Sequence, residues 1–396
     1  MSAQDFIRLH REDDVFKLAL SLRGNEEASF ILRQIEGWQR LRHKIPCWSE
    51  IEDLHYPPRV SLEQCSSEAT ALYKYAIVRR ILPHGGRLTD LTGGFGVDFC
   101  FLAPHFMEAI YVEKDELLTQ LALHNFPLLG VGHATIVKAE ASEYLLTAEH
   151  SDLMFIDPSR RDAHGRRVVR VNECSPDVRA LWPIIRDKAG VVMLKLSPML
   201  DIPDTLHALP GIEEVHVVGH DGECKELLLI GKGCELGQIA SDQTNMKEPR
   251  FYCHDDYTDF SFLRGEERGT LAEFASQLGT FLYDPSPVVL KAGALHTVAA
   301  RFNVAKLSQN THLYTSSQRA EGFPGRVFRV VSVTGCSKRE ISPFVGTRAN
   351  LAVRNFPEKV ETLRARWKIK DGGHDYLFAV GGPSGGKLLI HAVKAE

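Results

Sequence analysis

The stretch Asp90-Leu91-Thr92-Gly93-Gly94-Phe95-Gly96 decides the fold of this chain. It follows a short apolar run and precedes a segment with helical spacing, so we expect a turn that joins a β-strand to a helix. Glycines in such a turn can adopt positive φ and let the backbone approach a ligand closely. The first N–H groups of the helix add donors for an anionic group. The stretch therefore predicts a ligand site at the carboxyl end of a strand.

Three features of this region separate the candidate ligands. The dinucleotide fingerprint G-x-G-x-x-G is incomplete, because Gly96 is followed by Val97-Asp98-Phe99 and the third glycine is missing. Asp90 would repel a pyrophosphate but would accept a hydrogen bond from a methionine ammonium. Glu113 ends the next apolar run and suits two ribose hydroxyls, whichever cofactor carries them. We therefore expect S-adenosylmethionine as the cofactor, held by Asp90, Thr92, Gly93, Gly94, Gly96 and Glu113; a turn without a ligand is the alternative.

Two further segments are candidates for the same pocket. Ala139 and Glu140 follow the third apolar run and are placed to flank an adenine, although an exposed loop acid is an equally simple interpretation. Gln64, Ser66 and Ser67 lie where a helix begins before the first strand. Small polar residues there usually cap the helix, and we weigh that role equally with contact to the cofactor's amino-acid end.

Seven short apolar runs alternate with helical segments from about residue 87 onward. Continuous apolar strands predict a parallel sheet covered on both faces. The last two runs are joined by His220-Asp221-Gly222-Glu223, which is too short for a parallel crossover, so the final strand should be antiparallel. Six parallel strands and one antiparallel strand form the Rossmann-like sheet of class I methyltransferases. The runs are Leu88–Thr92, Ala109–Glu113, Thr135–Lys138, Leu153–Asp157, Val191–Leu196, Val215–Val218 and Leu227–Ile230.

The rest of the chain divides around this α/β segment. Apolar residues at three- and four-residue spacing predict an N-terminal helical region over 1–58. A helix over about Ser61–Ile81 opens the α/β domain of 59–235. A linker follows at about 235–250. Mixed signals then predict a C-terminal α+β part, with one domain over 250–312 and a mostly β domain over 313–396.

Composition limits the class of protein. The chain of 396 residues is 44% hydrophobic and 25% charged, and it contains no apolar run long enough to span a membrane. Its first residues lack the pattern of a signal peptide. The eight cysteines are scattered without a C-x-x-C pair, so we expect no metal site and a reduced, cytoplasmic protein.

Charge is distributed unevenly along the chain. Residues 314–396 hold 14 Lys and Arg against 7 Asp and Glu, a net of +7, whereas the remainder has a net of −11. A basic C-terminal unit on an acidic body favours polyanion binding. Ordinary solvated surface charge is the alternative.

Asp157-Pro158-Ser159-Arg160-Arg161 follows the fourth apolar run, where ligands of such sheets bind. An acid-Pro-Pro-aromatic motif at this point is typical of amine methyltransferases, in which the acid and a carbonyl accept hydrogen bonds from an exocyclic amine. Here Ser159 replaces the second proline and Arg160 replaces the aromatic residue. We therefore expect Asp157 and Pro158 to orient an acceptor, with the arginines contacting phosphate, stacking on a base or forming surface ion pairs. Further candidates on the substrate side are Lys195, Ser197, Pro198, His220, Glu223 and Lys225.

Gly381-Gly382-Pro383-Ser384-Gly385-Gly386-Lys387-Leu388 almost matches a phosphate-binding P-loop. Leu388 replaces the Ser or Thr that would hold magnesium, and β-type runs flank the glycines on both sides. The segment is therefore expected to be a hairpin turn.

Taken together, these motifs resemble the bacterial class I methyltransferases that carry a C-terminal THUMP-like domain. The similar segments are Glu63–Thr70, Asp90–Gly96, Asp157–Arg161, Lys195–Asp201 and Glu223–Glu226. The resemblance extends over about residues 55–396. It implies a ferredoxin-like segment and, after it, a THUMP-like module, a type of domain that in its true form binds structured RNA, usually tRNA.

The sequence thus supports one main hypothesis and two alternatives. The main one is S-adenosylmethionine-dependent methylation of a base nitrogen in tRNA or rRNA, with structured RNA as the partner of the basic C-terminal domain. A small-molecule or protein methyltransferase is the first alternative. An RNA adaptor that binds the cofactor without catalysis is the second.

Overall fold

The computed structural model describes residues 2–159, 173–233, 248–382 and 385–395. It divides into two compact units. The first comprises Met1–Glu213 and Leu227–Lys247, and the second comprises Glu214–Glu226 and Glu248–Glu396.

Four helices occupy most of residues 3–49, as the apolar spacing predicted, whereas residues 50–58 form no helix. Ser2 and Asp14 cap the first two helices through their side-chain oxygens. Leu18, Ile31 and Ile35 belong to one buried cluster, which explains the three- and four-residue spacing. The helices are α1 (Ala3–His10), α2 (Val15–Ser21), α3 (Ala28–Leu41) and α4 (Pro46–Ser49).

The single helix expected from about Ser61 is instead two helices, α5 (Arg59–Gln64) and α6 (Glu68–Ile81). Cys65 is extended, with φ −63° and ψ 159°, and this ends the first helix. The Ser67 side chain accepts a hydrogen bond from the Thr70 N–H and so caps the second helix. Helical periodicity continues across this break, which is why spacing alone did not reveal it.

All seven expected strands are present, each within a few residues of its apolar run. Five form the parallel part of the sheet: β1 (Arg87–Asp90), β2 (Glu108–Glu113), β3 (Thr135–Lys138), β4 (Ser151–Ile156) and β5 (Ala189–Leu196). The hairpin strands are β6 (Ile212–His220) and β7 (Glu223–Lys232). The helices between them are α7 (Val97–Leu102), α8 (Glu116–Leu128), α9 (Ala141–Thr147), α10 (Val178–Asp187) and α11 (Ile202–Ala208).

The strand order is β3-β2-β1-β4-β5-β7-β6, with parallel pairing from β3 to β5 and antiparallel pairing of β5 with β7. Asp221 and Gly222 form the hairpin turn, with φ of 53° and 73°. Positive φ at both central positions is the geometry that two-residue hairpins favour. This arrangement confirms the predicted sheet of six parallel strands and one antiparallel strand.

The sheet continues beyond the seven expected strands. β8 (Arg250–His254) pairs in parallel with β6, and β9 (Asp259–Leu263) pairs with β8 in antiparallel register, which gives nine strands in all. Both strands are short and alternate buried with exposed residues. Their sequence did not distinguish them from the mixed segment that follows.

A seven-stranded sheet forms the C-terminal part of the second unit, in the order β11-β12-β10-β13-β16-β15-β14. Its strands are β10 (Phe281–Pro285), β11 (Ala305–Lys306), β12 (Tyr314–Ser316), β13 (Gly325–Thr334), β14 (Asn350–Arg354), β15 (Asp375–Gly381) and β16 (Lys387–Lys394). The helices of this unit are α12 (Arg264–Gly269), α13 (Pro287–Ala292), α14 (Leu295–Arg301), α15 (Lys338–Ile341) and α16 (Val360–Trp367).

The glycine-rich segment before Lys387 joins β15 and β16, which pair in antiparallel register from Asp375–Val393 to Gly381–Lys387. The predicted hairpin turn is confirmed, although Pro383 and Ser384 lie outside the described residues. In the segment with mixed signals, residues 271–278 form neither a helix nor a named strand. Within the described part of the chain, the helices are all too short or too polar to cross a membrane.

Candidate functional site

The glycine-rich turn follows β1 and is held against β2. The Gly93 N–H donates to the Val112 carbonyl at 2.9 Å, and a Cβ on Gly93 would lie 2.1 Å from the Tyr111 ring. Gly96 has φ 81° and precedes α7, where a left-handed backbone is needed to start the helix. Close packing against Tyr111 therefore requires glycine at position 93, and backbone conformation requires it at position 96.

Glu113, at the end of β2, is hydrogen-bonded directly to this turn. Its Oε2 accepts a hydrogen bond from the Gly94 N–H at 2.8 Å, and its Oε1 accepts one from the Asp115 N–H at 2.8 Å. Each carboxylate oxygen has a second lone pair. The geometry thus places an oriented acid beside the glycine-rich turn, and its remaining lone pairs suit the two hydroxyls of a ribose.

Asp90, at the end of β1, is 2% exposed and accepts a hydrogen bond from the Thr92 N–H at 2.9 Å. Burial raises the pKa of the Asp90 carboxyl well above its ordinary value, and the charges of Asp98, Asp157 and Glu113 add to that shift. The Thr92 N–H opposes it. A buried carboxyl surrounded by other acids would gain most from a cationic ligand group.

Asp157 follows β4 and is joined to the same turn through the backbone. The Asp157 N–H donates to the Thr92 hydroxyl at 2.6 Å. Pro158 is buried, and Ser159 pairs with Ser175 through two backbone hydrogen bonds of 2.8 and 3.0 Å. The structure therefore brings Asp157 to the edge that holds Asp90 and Glu113. Arg160 and Arg161 lie outside the described residues.

A buried charged cluster includes Asp157, and the sequence did not reveal two of its members, Lys74 and Asp98, or the contacts among the five residues. It consists of Ser66, Lys74, Asp98, Lys195 and Asp157. The Lys74 Nζ lies 3.0 Å from Asp98 Oδ1 and 3.2 Å from the Ser66 hydroxyl, which itself donates to Asp98 Oδ2 at 2.6 Å. The Lys195 Nζ lies 3.3 Å from Asp98 Oδ2 and 2.5 Å from Asp157 Oδ2.

Electrostatics favour the charged form of Asp98 in this cluster. Burial alone would raise the pKa of Asp98, but the ammonium groups of Lys74 and Lys195 and the Ser66 hydroxyl outweigh it and hold that pKa well below its ordinary value. Two sequence features hinted at the cluster: Lys74 lies within the apolar stripe of α6, and Asp98 follows Gly96 by two residues. Neither signal points to the other, because the two residues are far apart in sequence.

The three candidates that precede α6 have different environments. Ser66 is buried and bonded within the charged cluster. Ser67 caps α6, as one of the two interpretations proposed. Gln64 is the exposed last residue of α5. A contact between any of them and a cofactor stays a prediction.

Ala139 and Glu140 directly follow β3, the strand that pairs with β2. Glu140 precedes α9 without forming a side-chain cap, is exposed, and pairs with Lys114 at 3.2 Å. Ala139 is half-buried, and its N–H donates to the Glu113 carbonyl at 3.2 Å. Both residues therefore adjoin the edge that holds Glu113, and their role toward an adenine stays a prediction.

The hairpin candidates belong to the second compact unit and form local pairs. His220 Nδ1 hydrogen-bonds Asp256 at 2.6 Å, and Lys225 pairs with Glu223 at 2.9 Å. Burial raises the pKa of the Cys224 thiol to about 11, which disfavours a thiolate nucleophile at that position.

Comparison with known proteins agrees with this architecture. A ferredoxin-like domain family matches residues 281–324, and a THUMP-like domain family matches residues 325–393. A solved structure from Porphyromonas gingivalis W83, described as a "putative methyltransferase", is 32% identical to this chain, with a TM-score of 0.85 and coverage of 100% of this chain and 98% of that one.

A second solved structure is described as a "putative RNA methyltransferase" from Pyrococcus horikoshii. It is 18% identical and has a TM-score of 0.30, with coverage of 40% of this chain and 73% of that one. None of the curated proteins matches the sequence.

Proposed function

Because this chain belongs to the family of methyltransferases with C-terminal ferredoxin-like and THUMP-like domains, we propose that it transfers a methyl group from S-adenosylmethionine to a nitrogen of a base in tRNA or rRNA. The observation on which the proposal depends is the pairing of the Gly94 N–H with Glu113 Oε2 at 2.8 Å. It joins the glycine-rich turn to an acid at the end of the neighbouring strand.

The residues of this edge fit the proposed cofactor. Glu113 offers two oriented oxygens for the ribose hydroxyls, and Gly94 leaves space beside it, because a Cβ there would meet only the Thr92 carbonyl, at 3.8 Å. Asp90 is a buried acid in an acidic surrounding, which suits the ammonium of the methionine part. A pyrophosphate would instead bring two negative charges toward Asp90 and Glu113.

When bound, the cofactor would supply an electrophilic sulfonium methyl group for attack by a nitrogen lone pair, with the thioether sulfur as the leaving group. The protein contributes position, since in-line displacement depends on alignment of the reacting atoms. Asp157 lies at the end of β4, beside Thr92 of the turn, and would accept a hydrogen bond from the acceptor N–H. That hydrogen bond would orient the lone pair, and the Asp157 carboxylate would receive the proton that the nitrogen releases.

Two features support RNA as the substrate class. The THUMP-like region resembles domains of an RNA-binding type. Residues 314–396 have a net charge of +7, in a chain whose total is −4. Clustered Lys and Arg residues are the electrostatic requirement for phosphate contacts.

Cofactor binding tests the first half of the proposal. Calorimetry on the full chain should detect S-adenosylmethionine and S-adenosylhomocysteine. Glu113→Gln should weaken binding about 10- to 100-fold, since hydrogen bonds to a charged group contribute about 1.5–3 kcal/mol. Glu143→Gln on the exposed first turn of α9 is the matched control. Binding of a nicotinamide dinucleotide, without binding of either methionine nucleoside, would refute the cofactor.

Methyl transfer tests the second half. Pure protein and methyl-labelled cofactor are incubated with total RNA from cells that lack this protein. Label in RNA that is lost with Asp157→Ala supports the proposal, and RNA affinity should fall steeply with salt. Label only in a protein or metabolite fraction identifies the first alternative. Cofactor binding without transfer to any fraction identifies the adaptor.

A further inference from the structure

Lys195 occupies an unusual position for a lysine. It is the next-to-last residue of β5, where the other residues from Val192 onward are buried and apolar, and its side chain is 11% exposed. Burial of an ammonium group costs several kcal/mol unless oxygen partners compensate for it. The partners of Lys195 therefore indicate what the residue does.

The two lysines of the charged cluster have different partners. Lys74 is fully buried and pairs with Asp98 and Ser66, so Asp98 already has a cation beside it. Lys195 contacts the same Asp98 and Ser66, at 3.3 and 3.0 Å, and extends to Asp157 Oδ2 at 2.5 Å. Asp157 is 35% exposed, whereas Asp98 is 8% exposed. Within the charged cluster, Lys195 thus connects the buried side chains of Ser66 and Asp98 to the more exposed carboxylate of Asp157.

This connection fixes Asp157 at two points. Its backbone N–H is bound to the Thr92 hydroxyl at 2.6 Å, and its Oδ2 is bound to Lys195. Within the ranges that the structure describes, Asp157 Oδ1 receives no hydrogen bond. The carboxylate therefore has one oxygen committed to the protein and one left for a donor.

We propose that Lys195 is a positioning residue, which acts through Asp157 by holding Oδ2 so that Oδ1 is presented to the N–H of the methyl acceptor. The assignment rests on the proposed function. It implies that the acceptor group must donate a hydrogen bond, as an amino nitrogen does and a ring nitrogen without hydrogen does not. Contacts with the buried side chains of Ser66 and Asp98, which Lys74 also contacts, hold the Lys195 ammonium group in place.

Kinetics of methyl transfer to RNA, at saturating cofactor, test the assignment. Lys195→Met should lower kcat about 100-fold, the effect of misplacing a reacting group by about 1 Å. The cofactor Kd should stay within about twofold, because the change acts on the acceptor side. Lys195→Arg, which keeps charge and donors, should recover about tenfold of the loss. Lys188→Met, a half-buried lysine bonded to the Ala148 carbonyl, is the control and should retain wild-type kcat.

A double variant shows whether Lys195 acts through Asp157 or independently, because the effects on kcat of two residues that act together do not add. The double variant Asp157→Ala/Lys195→Met should be no slower than Asp157→Ala alone, because the lysine has nothing left to position. A double variant slower by the product of both effects overturns the proposal, as does a loss of cofactor affinity in Lys195→Met. If the methionine variant does not fold, Lys195→Gln replaces it with the same expectations.

A crystal structure keeps the test independent of turnover. In Lys195→Met the Asp157 side chain should leave its wild-type rotamer or lose order, whereas it should stay in place in Lys188→Met. An unchanged Asp157 conformation in Lys195→Met overturns the positioning role, whatever the activity of that variant. Absence of cofactor binding or methyl transfer in the wild type refutes the proposed function instead.

Discussion

The Nζ atom of Lys74 lies 3.0 Å from Oδ1 of Asp98, and neither side chain is more than 8% exposed. Lys74 comes from α6, before the first strand, and Asp98 comes from the first turn of α7, directly after the glycine-rich turn. The pair therefore joins the helix that precedes the sheet to the helix that starts at Gly96. A buried ion pair of this kind holds position only while both partners are present.

Lys74→Met should lower the free energy of unfolding by about 3 kcal/mol, because it leaves Asp98 buried with Lys195 as its remaining cation. Urea unfolding of the full chain measures the loss. The double variant Lys74→Met/Asp98→Asn should be more stable than the single variant, since it removes the buried carboxylate that has lost one of its two cations. Equal stability of the two would contradict the role of the pair.

The exposed pair of Arg59 with Glu63 provides the comparison. Their charged atoms are 2.7 Å apart, but the side chains are 62% and 52% exposed. Arg59→Met should lower the free energy of unfolding much less than Lys74→Met does in the same urea experiment, because exposed ion pairs contribute little. A loss as large as that of Lys74→Met would show that burial is not the deciding factor.

Gly93→Ala should destabilise the protein by about 1–3 kcal/mol and weaken cofactor binding, because the added Cβ would lie 2.1 Å from the Tyr111 ring. Tyr111 is fully buried and bonded to the Gly94 carbonyl, so it cannot move aside freely. Thermal unfolding and calorimetry measure the two effects. Gly269→Ala, where a Cβ meets nothing within 4 Å, should change neither.

Cofactor affinity should increase as pH rises, because the Asp90 carboxyl has a raised pKa and ionises as the pH increases. Burial raises this pKa, so below it the carboxyl is protonated and lacks the charge that an ammonium prefers. Binding at such a pH must ionise Asp90 and release a proton. Calorimetry in buffers of different ionisation enthalpy measures that release, and Asp90→Asn should abolish it. A wild type that binds with no proton release would refute the coupling.

Sequence alone predicted the sheet well because its signals are local. Each apolar run is a strand, and the short link at Asp221-Gly222 requires antiparallel pairing. The turn Asp90–Gly96 and the acid Glu113 are identified by their places at the ends of consecutive strands. These predictions need only the neighbours of each residue along the chain.

The charged cluster could not be predicted in this way. Lys74, Asp98 and Lys195 come from three elements, and their contacts depend on how α6 and α7 pack at the end of β5. A lysine in an apolar stripe also has a simpler interpretation, with its charged end reaching solvent. Similarly, β8 and β9 are too short for their alternation to show which sheet they join.

Acid should destabilise the contact between the N-terminal region and α8 through the stacked rings of His55 and His124, whose centroids are 3.7 Å apart. Burial lowers the pKa of His55, and His124 and Arg33 lower it further, while Asp53 opposes them. The folded state disfavours the protonated form of His55. The contribution of His55 to stability should therefore be fully present above the ordinary pKa of about 6.5 and be lost as pH falls below it.

Thermal unfolding at about pH 7.5 and about pH 5.5 measures this effect. His55→Phe keeps a ring for the stack but cannot titrate, so its melting temperature should fall less than that of the wild type over the same interval. His84→Phe, at an exposed position, is the control and should keep the wild-type pH dependence. Identical pH dependence of the wild type and His55→Phe would exclude His55 as the source, because no other change distinguishes the two proteins.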